Sequence, residues 1–196
     1  MPIVNVKNRG YYKVKGAADA FNFDFKNKVV LDIGSSTGGF TQYALDHGAK
    51  KVIAVEKGTN QMQSPLRHDH RVELHEKTDI FDFTATPGVI MADVSFISLT
   101  KILKYAKTHL SSKDTDFLVM LKPQFEANPT QLHNGIVKNE TIRRNIIKNF
   151  ESWLKQNQFL IIKKRDNDLK GKTGNRERFY WLKIQHIDWH IQSKCL

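Results

Sequence analysis

One cysteine stands among the 196 residues, Cys195, so no internal disulfide forms and a reducing cytoplasm is the expected setting. Long apolar runs are missing too. Nothing approaches the roughly 18 residues that a membrane-crossing helix needs. The opening MPIVNVKNRGYYKVKG has no apolar core of a signal peptide. Metal-ligand spacing is absent: His68, His70 and His75 lie close together without an i, i+4 pair or a cysteine companion, so they read as a solvated basic face and no metal is expected. GKTG at 171–174 lacks the glycine that a phosphate-binding loop would require where Asp166 stands. Acidic residues are also short: 20 Asp and Glu face 31 Lys and Arg, for a net charge of +11. That surplus favours a polyanionic partner, nucleic acid ahead of an anionic membrane.

What is present is a rhythm of short Val- and Ile-rich runs. Strands are expected at 28–34, 51–57, 71–76, 88–94, 116–122, 159–165 and 178–184. The first five are almost continuously apolar, as strands covered on both faces are. Helices fit at 38–47, 60–67, 98–110 and 139–157. In the last of these Ile142, Ile146, Phe150 and Trp153/Leu154 make one stripe, Arg and Lys the other, and Asn139 is the N-cap. Such alternation predicts an α/β fold: a seven-stranded, mostly parallel sheet with helices on both faces. The last two strands lack a helix between them and should form an antiparallel hairpin at one edge. Seven strands with one reversed at the edge is the arrangement of a Rossmann-like class I methyltransferase. A basic, aromatic lead-in (1–27) precedes the main unit (28–196), within a single globular domain.

The first strand ends in LDIGSSTGGF. A dinucleotide fingerprint would carry a second glycine where Ser36 stands, and Asp32 would repel phosphates. A carboxylate there suits the cationic end of a methionine moiety. Glu56, ending the second strand, is placed to accept both ribose hydroxyls, and Asp79, after the third, to reach an adenine amino group. Together these favour S-adenosylmethionine over NAD. The expected cofactor residues are Asp32, Gly34, Ser35, Ser36, Thr37, Gly38, Gly39, Phe40, Glu56, Lys57, Asp79, Ile80 and Asp93. The plain alternative is a tight turn with no ligand.

Asp93 ends the fourth strand in MADVSFISL, Lys122 the fifth in MLKPQFE, and Glu177 precedes the last in GNRERF. Ligands of open α/β sheets sit outside the carboxyl ends of the strands, so Asp93 and Lys122 share a crevice with Gly34. Taken with SSTGGFTQYALDHGAKKVIAVEKG and NGIVKNE, these stretches resemble the TlyA family from about Arg9 to Ile184. The resemblance implies an FtsJ-type catalytic domain, ribose 2′-O-methylation of ribosomal RNA or a ribosomal subunit, and a Lys-Asp-Lys-Glu tetrad on Lys13, Asp93, Lys122 and Glu177. Family members normally carry an N-terminal S4 RNA-binding domain, for which these residues leave no room. Bland roles stay open: Lys15 is adjacent to Lys13, Asp93 is a candidate cap for the next helix, and Glu177 a surface partner for Arg176 or Arg178. Lys122 would either take the hydroxyl proton, if neutral, or act as a charged positioner of the developing alkoxide.

RNA contact is expected from two basic stretches. Lys7, Arg9, Lys13 and Lys15 surround Tyr11 and Tyr12, and Lys170, Lys172 and Arg176 lie in the loop before the last strand. Competing readings are a small-molecule or protein acceptor, a catalytically dead RNA-binding module and a membrane-active haemolysin. The last lacks a wide-faced amphipathic basic helix. No functional motif marks 185–196.

Overall fold

The computed structural model describes residues 7–169, 171 and 174–185. Seven strands form one sheet: β1 (Val29–Ile33), β2 (Lys51–Val55), β3 (Val72–His75), β4 (Val89–Ala92), β5 (Asp116–Leu121), β6 (Phe159–Asp166) and β7 (Arg178–Ile184). Their spatial order is β3-β2-β1-β4-β5-β7-β6. The first five are parallel, with Val30 opposite both Val52 and Val89. Their carboxyl ends therefore share one rim, as the apolar runs imply. β7 is antiparallel to both neighbours. The reversed strand thus lies one position in from the border, which β6 forms. Leu121 pairs with Arg178, so β7 begins where β5 ends. That register delivers Glu177 to the rim.

Two apolar layers cover the sheet. On one face α1 (Arg9–Phe21) and α2 (Gly39–Asp46) bury Val14, Phe21 and Tyr43 against Met91, Leu118 and Phe179. On the other, α4 (Leu99–His109) and α6 (Glu140–Gln156) bury Leu103, Phe150 and Leu154 against Leu31, Ile90 and Phe117. Each such side chain contributes roughly 1.5–3 kcal/mol. α1 was not expected, because its apolar stripe is made mostly of Tyr and Ala among lysines. Asn8 starts it by accepting from the Tyr11 amide at 3.2 Å, and Asn22 stops it in a left-handed conformation. Its buried stripe makes the basic lead-in part of the core.

The helix expected over 60–67 shrinks to one turn, α3 (Ser64–Arg67), because Asn60 is left-handed (φ 53°) and Pro65 fits only at the start of a helix. A short α5 (Pro123–Glu126) follows Lys122 directly. In α6, Asn139 caps the amides of Thr141 and Ile142 as expected. Arg143, from the polar stripe, is buried nevertheless, because Asp166 of β6 meets its guanidinium at 2.8 Å.

Candidate active site

The turn after β1 is held by backbone. The amides of Gly34 and Ser35 donate to Val55 O, and Gly38 N donates to Ser35 O at 2.8 Å. Gly34 has φ 79°, and a Cβ there would sit 3.0 Å from Asp93 O, so only glycine lets the β1 and β4 tips meet. Asp32 is fully buried. Its Oδ2 accepts from the Thr41 hydroxyl at 2.7 Å, and its Oδ1 has no partner among the described residues. Burial pushes this carboxyl up to about 7; Asp93 and Glu56 add repulsion, and Thr41 opposes the rise. The Ser35 hydroxyl is likewise buried, with no hydrogen-bond partner among the described residues. An unmatched buried acid beside a free hydroxyl fits a ligand that brings a positive charge, as the amino-acid end of S-adenosylmethionine does.

Glu56 stands at the tip of β2 and accepts from Ser36 N at 2.9 Å and from Gly58 N at 2.7 Å. Lys57 and Asp79 pair at 2.9 Å across the next two tips, which holds the Asp79 carboxyl below its ordinary range. Asp79 also caps the short turn that begins with buried Ile80. Ser36 and Thr37 are exposed on the turn, and Gly38 and Gly39 open α2. Thr37 accepts from the Asn8 side-chain amide at 2.9 Å, tying the turn to α1. Phe40 and Ile80 are exceptions among the expected cofactor residues: both side chains are buried in the core, the Phe40 ring 6.0 Å from that of Phe179.

Across the rim, four distant residues meet as two acid–lysine pairs. Lys122 Nζ lies 2.5 Å from Asp93 Oδ1 and donates to Ser95 Oγ at 2.9 Å. Lys13 Nζ lies 2.5 Å from Glu177 Oε2, with both side chains more than nine-tenths buried. The alternatives left open by the sequence close here. Lys15 pairs with Asp19 on the surface. The cap of α4 is Ser98, not Asp93. Glu177 is buried and does not pair with Arg176 or Arg178, both of which pair with Asp166.

Sequence reasoning missed the groups that hold these pairs in place. Glu126 accepts from Ser98 Oγ at 2.6 Å and Leu99 N at 2.7 Å, clamping the segment after Asp93 to the turn after Lys122. Burial raises the Glu126 carboxyl above its ordinary range. The buried Asn175 side chain accepts from Val137 N and donates to Gly135 O, each at 3.0 Å, joining NGIV to GNRERF. Phe96 is 92% exposed and left-handed (φ 64°), with its ring 5.3 Å from that of Phe125. Lys122 Nζ lies 5.9 Å from the Phe125 ring. An aromatic three residues past Asp93, inside MADVSFISL, was the available signal.

Of the expected RNA contacts, Lys7, Arg9, Tyr12 and Arg176 are exposed. Tyr11 is not available for stacking; it is buried and donates to Asp46 at 3.1 Å. Lys15 is exposed but engaged by Asp19. Lys170 and Lys172 lie outside the described residues. Among the described residues no helix is long and apolar enough to cross a membrane.

A model of the FtsJ-like methyltransferase family matches residues 6–184. The 16S/23S rRNA (cytidine-2'-O)-methyltransferase TlyA of Mycobacterium tuberculosis is 35% identical over 195 residues, which cover 96% of this chain and 72% of that protein. Hemolysin A of Brachyspira hyodysenteriae is 36% identical over 184 residues, 89% of this chain and 76% of that one. A solved Lactococcus lactis structure of a candidate hemolysin superposes with a TM-score of 0.86 at 34% identity, covering 91% of this chain and 89% of its own.

Proposed function

This chain belongs to the FtsJ-like methyltransferase family, and from that premise we propose that it methylates the ribose 2′-hydroxyl of a ribosomal RNA nucleotide. The methyl donor is S-adenosylmethionine. The observation that carries the acceptor reading is the two acid–lysine pairs, Asp93–Lys122 and Lys13–Glu177, at the rim where the cofactor turn also ends. Relatives named as rRNA (cytidine-2'-O)-methyltransferases support it. A ribosomal acceptor also implies work in the cytoplasm.

Asp32 and Ser35 would hold the amino-acid end of the cofactor, Glu56 its ribose hydroxyls and Asp79 its adenine edge. When bound, the cofactor supplies a methyl carbon on a positively charged sulfur, which departs as a neutral thioether. Lys122 Nζ then orients the acceptor oxygen along the line of displacement and stabilises its negative charge as the carbon–oxygen bond forms. Asp93 Oδ1, 2.5 Å from Nζ, holds it in that position, and the hydroxyl proton leaves to solvent as the carbon–oxygen bond forms. Lys13, locked on Glu177, walls the crevice on the α1 side. Phe96 offers a ring face for the target base.

The test is transfer of tritiated methyl groups from the cofactor to unmodified ribosomal subunits and purified rRNA. Label on a ribose with wild type, and none with Lys122→Ala despite intact cofactor binding, is the expected result. Cofactor binding with no label on any rRNA overturns the acceptor.

A further inference from the structure

Outside the rim, one charged feature is left unexplained by the chemistry. A cavity of about 310 Å³ opens between α6 and the paired ends of β6 and β7, lined by Arg143, Arg144, Lys148 and Arg178 with Glu140, Glu151 and Asp166 among its acids. Its floor is pre-built. Arg143, buried, donates to Asp166 Oδ1 at 2.8 Å and to Arg176 O at 3.2 Å; Arg178 donates to the same Asp166 oxygen at 2.6 Å. Asp166 is thus taken up by the arginines beside it, while Glu140 meets Arg143 at 3.4 Å and Glu151 is held by Lys164 at 2.7 Å and the Tyr180 hydroxyl at 3.0 Å. Arg144 and Lys148, one turn apart on the exposed side of α6, have no ion-pair partner among the described residues. Exposed Arg176 adds a third cation at the mouth, held loosely at 3.7 Å from Glu140 and 3.8 Å from Asp166. The groove presents more positive than negative charge, with its free cations outermost.

Its position matters as much as its charge. Arg178 pairs with Leu121, the residue before Lys122. Asp166 pairs with Arg178. α6 packs against α5, the turn that follows Lys122. The groove therefore adjoins the catalytic rim on the face opposite α1. We infer that it is a track for the phosphodiester backbone of the RNA strand that carries the target nucleotide, with Arg144 and Lys148 as the phosphate-holding groups. This inference rests on the RNA acceptor proposed above. It makes the strand straddle the sheet: the exposed Lys7, Arg9 and Tyr12 lie on the α1 side, and the groove on the α6 side.

The experiment compares wild type, Arg144→Ala/Lys148→Ala, the charge-keeping Arg144→Lys/Lys148→Arg, and Lys26→Ala/Lys50→Ala. The last removes the same charge from exposed positions at the opposite end of the strands. The readouts are KM for an rRNA acceptor, its salt dependence, kcat at saturating RNA and cofactor affinity. The groove variant should raise KM by roughly 5–20-fold and flatten the log–log salt slope by about 1 to 2, the share of two phosphate contacts. Its kcat and cofactor affinity should stay at wild-type values. The charge-keeping variant should retain wild-type KM, and the remote variant should move it less than about twofold. A groove variant indistinguishable from the remote one overturns the track and leaves the methyltransferase reading intact. Wild type that transfers no methyl group to RNA overturns both.

Discussion

The two sides of the crevice are built on different principles. On the β1–β3 side each group follows its own strand and finds its partner within that segment of the chain: Asp32 with Thr41, Ser36 with Glu56, Lys57 with Asp79. On the β4–β5–β7 side the partners come from remote parts of the chain: Lys13 with Glu177, Ser98 with Glu126, Val137 with Asn175. The first side is built from the β1–β3 segment alone. The second exists only when the whole sheet is assembled, and it is the side to which the acceptor is assigned in the proposal above. Charge divides the same way. The cofactor side concentrates acids around one buried, unmatched carboxyl, while on the other side Asp93 and Glu177 each meet a lysine and Glu126 is held by Ser98 and Leu99.

If the division holds, damage on one side should leave the other side's parameter alone. The largest effect is expected from Lys122→Ala: a fall in kcat of about 10²–10⁴-fold, with cofactor affinity by calorimetry unchanged. A matching loss of cofactor affinity would break the division. Next comes Asp32. Its carboxyl titrates near 7 in the folded chain, so wild-type cofactor affinity should fall about tenfold per pH unit below that value. Asp32→Asn should bind weakly at pH 8 and show no such dependence. The same group acts on stability with the opposite trend. Its folded pKa is raised, so between about 4 and 7 the folded chain holds a proton that the unfolded chain has released. Its contribution is full at low pH and is lost as pH rises toward 7. The stability difference between Asp32→Asn and wild type, followed by denaturant melts across that window, should therefore grow in favour of the variant.

A smaller effect is expected at Gly38, where φ is 90° and an added Cβ would collide with Leu66 Cδ1. Gly38→Ala should cost about 1–2 kcal/mol of stability and weaken cofactor binding, leaving RNA affinity measured without cofactor unchanged. The smallest concerns Phe96. Phe96→Ala and Phe96→Gly should both raise KM for RNA several-fold without touching cofactor affinity. Phe96→Gly should melt no lower than Phe96→Ala, since glycine accepts the left-handed backbone freely. Equal cofactor loss in either variant would again blur the two sides.

The same division explains what could be read from the sequence. The positions of β1–β5, the Asn139 cap and the glycine turn are local patterns, and they were legible; the strand order was not. So were Asp93 and Lys122, because strand ends locate the crevice. α1 escaped notice because its buried face uses Tyr and Ala, whose periodicity is weak among lysines. The choice of Lys13 over Lys15 depends on which face of that helix meets Glu177, a tertiary fact. Arg143 looked like surface because its partner Asp166 lies on another element. Glu126 and Asn175 sat inside recognised motifs, yet their partners could not be named until the motifs were brought together.

The insertion of β7 between β5 and β6 has a consequence for the order in which the site comes into being. A ribosome delivers Lys13 early and Glu177 late, and β7 must slot between two strands already made. Until it does, the Lys13 ammonium has no counter-charge, and β5 and β6 present open edges. A nascent chain halted before Arg178 would carry an intact glycine turn and an unfinished acceptor side. Catalytic competence is thus a late event in synthesis, reached only when the reversed strand closes the sheet.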